Sequence, residues 1–174
     1  MEITTLAGGC FWCTEAIFKN LKGVTKVVSG YSGGTKEGAS YEDIHYKDTK
    51  HAESIQITFD PKEISYKELL YVFFKTHDPT TVDRQGADIG PEYRSMIFFA
   101  DKAQQDAAHD ALKEAQKLYD SLIVTEIVPF KSFYEAEDYH QDFYRKNPNS
   151  IYCQLVIDPK ISKLKKDFKS YLKK

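Results

Sequence analysis

Three cysteines, Cys10, Cys13 and Cys153, are the side chains in this sequence best suited to covalent chemistry. Cys10 follows Gly8-Gly9 and opens a stretch in which Cys13, Ala16, Ile17 and Leu21 recur at helical spacing. A sulfur at that point lies near the unpaired N–H groups and the positive end of the helix dipole, which favour the nucleophilic thiolate. The position alone fits a buried structural cysteine equally well, because free cysteine is often core. Cys13 shares the apolar stripe and reads first as core, yet Cys10-Phe11-Trp12-Cys13 also has the Cys-x-x-Cys spacing of dithiol redox sites. Three cysteines are too few for a disulfide framework, and in a reducing compartment they point to redox or metal chemistry. A zinc module would have to recruit one of His45, His51, His77, His109 or His140, and no second close ligand pair accompanies the single Cys-x-x-Cys. A thioredoxin-like disulfide oxidoreductase would use Cys10 and Cys13 and leave Cys153 dispensable.

The elements that must position these residues follow from the hydrophobic pattern. Glu2 to Leu6 reads as a strand, Ala7-Gly8-Gly9 as a turn, and the stripe from Cys13 to Leu21 as a helix. Val24 to Tyr31 is a second strand ended by Ser32-Gly33-Gly34, and Ile55 to Phe59 a third, closed by Asp60-Pro61. Between them lies a loop that carries Tyr41 and runs up to Glu53. Ser65 and Glu68 form a capping box ahead of the apolar face Tyr66, Leu69, Leu70 and Phe73. The long polar segment Thr80 to Tyr93 is a candidate site wall, since loops of that length in compact domains are usually functional. Ser95 to Phe99 reads as a strand, Ala103 to Leu118 as an amphipathic helix, and Ile123 to Val128 as a last strand before Pro129. The chain beyond is irregular and aromatic, then ends in a Lys-rich helix with Ile161, Leu164, Phe168 and Leu172 on one face. This order gives an α+β two-layer sandwich, helices packed on a mixed sheet.

Composition narrows the partners. A chain of 174 residues, 41% hydrophobic and 14% aromatic, can bury one sizeable core. With 24 basic against 26 acidic residues and a net charge of -2, it offers no electrostatic footprint for nucleic acid or anionic membrane. No stretch approaches the roughly 20 apolar residues that span a bilayer, and Met1 to Gly9 does not look like a leader, so the expected location is the cytoplasm. Among the 12 Tyr and 11 Phe, some can line a pocket that grips an apolar group and hydrogen-bonds a polar one.

The run Gly9-Cys10-Phe11-Trp12-Cys13-Thr14-Glu15 resembles the active-site signature of the type A methionine sulfoxide reductases. The likeness continues in order through Gly30-Tyr31-Ser32-Gly33-Gly34, Ser40-Tyr41, His51-Ala52-Glu53, the His77-Asp78-Pro79 turn, Asp88-Ile89-Gly90, Tyr93-Arg94-Ser95 and Tyr139-His140-Gln141. It therefore covers nearly the whole chain and implies one catalytic domain, residues 1–174, with a ferredoxin-like core, an irregular C-terminal tail and a terminal helix. By this resemblance Cys10 is the nucleophile, Glu53 the acid that protonates the sulfoxide oxygen, Tyr41 and Tyr93 donors to that oxygen, and Asp88 a helper in the polar wall. Phe11 and Trp12 form the pocket for the substrate methyl group. Cys153 matches the resolving position, in a tail expected to be mobile, and is preferred to Cys13. His51, His77 and His140 are expected to be structural. The implied partners are methionine S-sulfoxide, free or in proteins, and thioredoxin, with no prosthetic cofactor and no metal. Two departures stand out. Cys13 replaces a usual Gly or Ala, and Asn147-Pro148-Asn149-Ser150-Ile151-Tyr152-Cys153 is a residue longer than the common pattern and runs into a helix instead of a Gly-rich tail.

The chemistry so implied is coherent. A thiolate can attack the sulfur of a neutral, polar sulfoxide only if the oxygen is protonated as charge develops on it. A carboxyl in an aromatic, partly dry pocket has its pKa raised by desolvation and remains a donor near neutrality. Two tyrosine hydroxyls add oxyanion-type stabilisation. Attack leaves methionine and a sulfenic acid on Cys10, which a second thiol converts to a disulfide.

Overall fold

The alternating apolar segments become the central strands of a six-stranded sheet in the computed structural model, which describes residues 1–173. In chain order the elements are β1 (Glu2–Gly8), α1 (Phe11–Lys19), β2 (Val24–Ser32), α2 (Tyr41–Tyr46), β3 (Ala52–Phe59), α3 (Tyr66–Thr76), β4 (Arg84–Gln85), β5 (Asp88–Ile89) and β6 (Ser95–Phe99). They continue as α4 (Lys102–Gln116), β7 (Glu126–Pro129), β8 (Tyr134–Glu135), α5 (Phe143–Lys146) and α6 (Asp158–Asp167). The sheet order is β7-β6-β1-β3-β2-β8, and only the β6–β7 pair is parallel. In β1-α1-β2 and β3-α3-β6 each helix carries the chain between strands that are not neighbours, which is the split β-α-β arrangement of a ferredoxin-like core. The α+β sandwich expected from the element order is the observed architecture.

The core forms where the inward sides of α1 and α3 meet the sheet. Phe18, Leu21, Ile55, Ile57, Phe59, Leu69 and Leu70 are completely buried in it. Each such side chain contributes about 1.5 to 3 kcal/mol by leaving water. The capping box is present: the Ser65 N–H donates to Glu68 Oε2 (2.8 Å) and the Glu68 N–H to Ser65 Oγ (3.3 Å). His77 is structural, its imidazole lying 2.6 Å from the Phe73 carbonyl and 2.7 Å from Ser95 Oγ. Burial lowers its pKa to about 4, so it stays neutral in the fold.

Helix α2 replaces the loop expected at Tyr41, the last strand begins at Glu126 instead of Ile123, and two further differences bear directly on the site. β3 starts at Ala52, three residues early, so Glu53 lies in a strand and pairs across to Tyr31 of β2. Its first four residues are all buried, so both faces are covered and no apolar–polar alternation marks the strand's start. The segment around Cys153 is also not a loose tail. The Cys153 N–H donates to Ser150 Oγ (3.1 Å), and Cys153–Ile157 forms a π-helical turn that runs directly into α6. Cys153, Ile157, Ile161 and Leu164 give this run a buried face that packs on α1, which orders it.

Candidate active site

The chain reaches the site through a turn that only glycine accommodates. Gly9 sits at φ +88, and a Cβ there would fall 2.5 Å from Gln85 Cγ. This turn delivers Cys10 as the N-cap of α1, with the Cys13 N–H donating to the Cys10 carbonyl at 3.1 Å. The Cys10 side chain makes no capping bond, so its sulfur is not committed to the helix. The Phe11 N–H instead donates to Glu53 Oε2 at 2.9 Å, which brings a carboxyl from β3 over the start of α1 beside Cys10.

Glu53 is 2% exposed, and burial is the main reason its pKa rises to about 8. The Phe11 N–H opposes that rise, while charge on Asp88, Glu92 and Cys13 adds to it. The carboxyl therefore keeps its proton at neutral pH. Burial likewise pushes the Cys10 thiol well up, followed by the adjoining Cys13 thiol and negative charge on Glu53. Charge on Glu53 would push the Cys10 thiol up further, so the site tolerates at most one anion, and a Cys10 thiolate is compatible only with a Glu53 that keeps its proton. Cys13 moves the other way, lowered chiefly by the Cys10 thiol. The two thiols titrate as a pair that loses its first proton readily and its second with difficulty.

Tyr41 and Tyr93 reach this point from α2 and from the 3-10 turn Pro91–Tyr93. Burial first, then charge on Glu53 and on Cys10, raises both phenol pKa values, so both hydroxyls sense those two groups and keep their protons. The Tyr41 N–H is held by Glu137 Oε1 (2.9 Å), and Glu137 Oε2 accepts from the Tyr31 hydroxyl (2.8 Å). Asp88 does not stand free in the polar wall. Its Oδ2 accepts from the Tyr152 hydroxyl at 2.8 Å, and the Tyr152 oxygen lies 3.6 Å from Cys13 Sγ. With its one proton directed to Asp88, Tyr152 accepts from the Cys13 thiol, so Asp88 serves the Cys13 side of the site.

The aromatic residues form a stack of unequal accessibility. Trp12 is half-buried, and its Nε1–H donates to His140 Nδ1 (3.0 Å) while its ring stacks on Phe143 at 3.6 Å. Phe11 is 1% exposed and packs beneath, against Tyr31 and His140, so it forms floor where Trp12 forms accessible wall. His51 is structural as expected, receiving the Gly34 N–H at 3.2 Å. Cys153 is fully buried one residue beyond Tyr152, and all three thiols are free.

Sequence reasoning missed four contributors. Tyr152 and His45 had no assigned chemistry, Glu92 was passed over inside the polar segment, and Glu15 was quoted in the signature without a role. Glu15 is 2% exposed and accepts the Asp142 N–H through both oxygens (2.9 and 3.0 Å), which ties the segment bearing His140 and Phe143 to α1. A buried glutamate one helical turn before Lys19, its ion-pair partner at 2.9 Å, was the available signal. Among the described residues no group of three or more His, Cys, Asp or Glu is arranged to hold a metal ion. A groove of about 480 Å³ between α3 and α4, lined by Tyr71, Phe74 and Leu118, holds none of the residues above.

A cysteine at a helix start, beside a buried carboxyl that keeps its proton and two phenols, is the arrangement of a thiol oxidoreductase. Residues 2–172 match the family model described as peptide methionine sulfoxide reductase, and the chain belongs to that family. It is 54% identical over 168 residues to the peptide methionine sulfoxide reductase of Sulfolobus acidocaldarius, covering 97% of this chain and 96% of the relative. Among solved structures it is similar to reduced Mxr1 from Saccharomyces cerevisiae, with 36% identity, a TM-score of 0.81, and 87% and 88% of the two chains covered. A further Mxr1 structure, in complex with Trx2, aligns at 30% identity and a TM-score of 0.57 over 82% of this chain and 84% of that one.

Proposed function

We propose that this enzyme, one catalytic domain, reduces the S epimer of methionine sulfoxide, free or within proteins, by oxygen transfer to Cys10. The observation that carries this reading is the Glu53 carboxyl bound to the Phe11 N–H (2.9 Å) and kept protonated to about pH 8, one residue from the nucleophile. Glu53 releases its proton to the sulfoxide oxygen as the Cys10 thiolate attacks sulfur, and Tyr41 and Tyr93 stabilise that oxygen. The bond formed between the two sulfurs and the substrate S–O bond then break as the hydroxyl passes to the Cys10 sulfur, so the substrate leaves as methionine, Cys10 carries the oxygen as a sulfenic acid, and Glu53 is left ionised. Trp12 contacts the methyl group over a floor formed by Phe11, and Asp88 acts through Tyr152.

A second thiol then displaces water from the sulfenic acid and forms a disulfide. The geometry favours Cys13 as the first partner, ahead of Cys153. Cys10 is an N-cap with extended ψ of 125, not a helix-interior residue, and Cys13 is the thiol that interacts with it. Cys153 is fully buried within a helical turn and would have to be released to take part, receiving the disulfide in a later exchange. Thioredoxin is the reductant this reading assigns, in line with the Mxr1 complex with Trx2. No prosthetic group is required, since the dithiol supplies both electrons. No helix is long and apolar enough to cross a membrane, and a thiol cycle of this kind suits a reducing compartment such as the cytoplasm.

The stereochemical claim is tested with resolved epimers of a blocked methionine sulfoxide. A methyl wall and an oxygen site at fixed positions around a pyramidal sulfur accept one hand, so turnover of the S form should exceed that of the R form by at least about 100-fold, the discrimination open to a site built on buried hydrogen bonds. Comparable rates for the two epimers would overturn the type A assignment.

A further inference from the structure

His45 occupies a position at the site that the mechanism above does not use. It is the fifth residue of α2, and its Nδ1 lies 2.8 Å from the Tyr41 carbonyl oxygen. A carbonyl can only accept, so Nδ1 carries a hydrogen in every protonation state. Nε2 lies 3.0 Å from the Tyr93 hydroxyl, and in the neutral imidazole it is the acceptor. The Tyr93 proton then points at His45 and away from the place a sulfoxide oxygen would take. Protonation reverses the bond: Nε2–H donates to the Tyr93 oxygen, and the phenol proton is freed to turn outward.

Two carboxyls lie beside that nitrogen. Glu53 Oε1 stands 3.8 Å and Glu92 Oε1 3.9 Å from the same Nε2, and both carboxyls are buried. Glu92 is folded beneath Gly90, where a Cβ would fall 2.3 Å from its Oε2. Glu53 keeps its proton at neutral pH, so of the two it is Glu92 that can pair with a cationic imidazole. The groups that face His45 are Tyr41 on its own helix, Glu53 from β3, Glu92 and Tyr93 from the 3-10 turn, and the imidazole of His140, whose ring also packs against Tyr41. The His45 side chain is 17% exposed, so water can deliver and remove its proton.

We propose that His45 is a positioning residue whose protonation turns the Tyr93 hydroxyl from a donor to His45 into a donor to the sulfoxide oxygen. The proton is exchanged with water and none passes from His45 to the substrate, so the balance of the oxygen transfer is unchanged. The proposal rests on the reading of Tyr93 as an oxygen donor, and its test separates the two. Single-turnover methionine formation is followed against pH for wild type, His45→Gln, His45→Asn, Tyr93→Phe and the His45→Gln/Tyr93→Phe double variant.

In wild type the rate should fall as pH rises, and more steeply than loss of the Glu53 proton alone accounts for. The His45→Gln variant should lose that extra pH dependence and run about tenfold slower at its optimum, with KM little changed. Tyr93→Phe should cost about 100-fold, in line with loss of one oxyanion donor. Adding His45→Gln to Tyr93→Phe should then change neither rate nor profile. A wild-type pH profile in both His45→Gln and His45→Asn, or multiplicative losses in the double variant, would overturn the role of His45 while leaving Tyr93 as a donor. A Tyr93→Phe variant at wild-type rate would overturn the donor reading, and the His45 proposal with it.

Discussion

Glu53→Gln is expected to slow methionine formation in single turnover by about 10² to 10⁴-fold, the range for loss of a positioned general acid, with little change in substrate affinity. The amide preserves the acceptor for the Phe11 N–H (2.9 Å in the wild type) and removes only the transferable proton. Acid from solvent can replace that proton, so the deficit should narrow as pH falls. The same substitution should act on stability in the opposite direction. The folded carboxyl has a pKa of about 8 against the ordinary 4.5 of a free glutamate, so between these limits the native state holds a proton that the unfolded chain has lost. Wild-type stability therefore falls as pH rises through this window, at up to about 1.4 kcal/mol per pH unit. Glu53→Gln lacks that loss, and its Tm should exceed that of the wild type by a margin that grows from pH 5 to pH 8. An unchanged single-turnover rate, or a Tm difference independent of pH, would show that another group supplies the proton.

The second large effect concerns resolution of the sulfenic acid. Wild type given excess sulfoxide and no reductant should form a Cys10–Cys13 crosslink first, read by peptide mass spectrometry in a time course. Cys13→Ser should complete one methionine per enzyme and then accumulate sulfenic acid on Cys10, with thioredoxin-coupled turnover reduced by at least about tenfold, since a buried thiol elsewhere must first be released. Cys153→Ser should still form the first crosslink at the wild-type rate. Initial formation of Cys10–Cys153, with Cys13→Ser forming its disulfide normally, would restore the order that the sequence alone suggested.

How much of this was legible in the sequence varies by residue for physical reasons. The strands and helices of the core announce themselves because their buried faces alternate or recur at regular spacing, as in Ile55, Ile57 and Phe59 or Leu69, Leu70 and Phe73. Ser65 and Glu68 name their capping box because that device is local. Glu53 was misjudged as preceding its strand because Ala52 to Ile55 is buried on both faces and shows no alternation. The segment around Cys153 looked mobile because its order derives from packing on α1, a long-range contact without a local signature. Its burial is one reason the proposed order of resolution places Cys13 ahead of Cys153. His45 and Glu92 carry no periodic or motif signal of their own. Their meaning arises only when α2, β3 and the Pro91–Tyr93 turn converge, bringing Nε2 within 4 Å of two carboxyls that lie far apart in sequence.

Trapping the oxygen on the nucleophile tests the central claim most directly. A Cys13→Ser/Cys153→Ser double variant, in which Cys10 is the sole thiol, is mixed with methionine S-sulfoxide, and the products are treated with a 1,3-diketone that captures sulfenic acids. The account predicts one methionine formed per enzyme and stoichiometric capture on the peptide bearing Cys10. Methionine formed without modification of Cys10, or full single-turnover activity in Cys10→Ser, would contradict it.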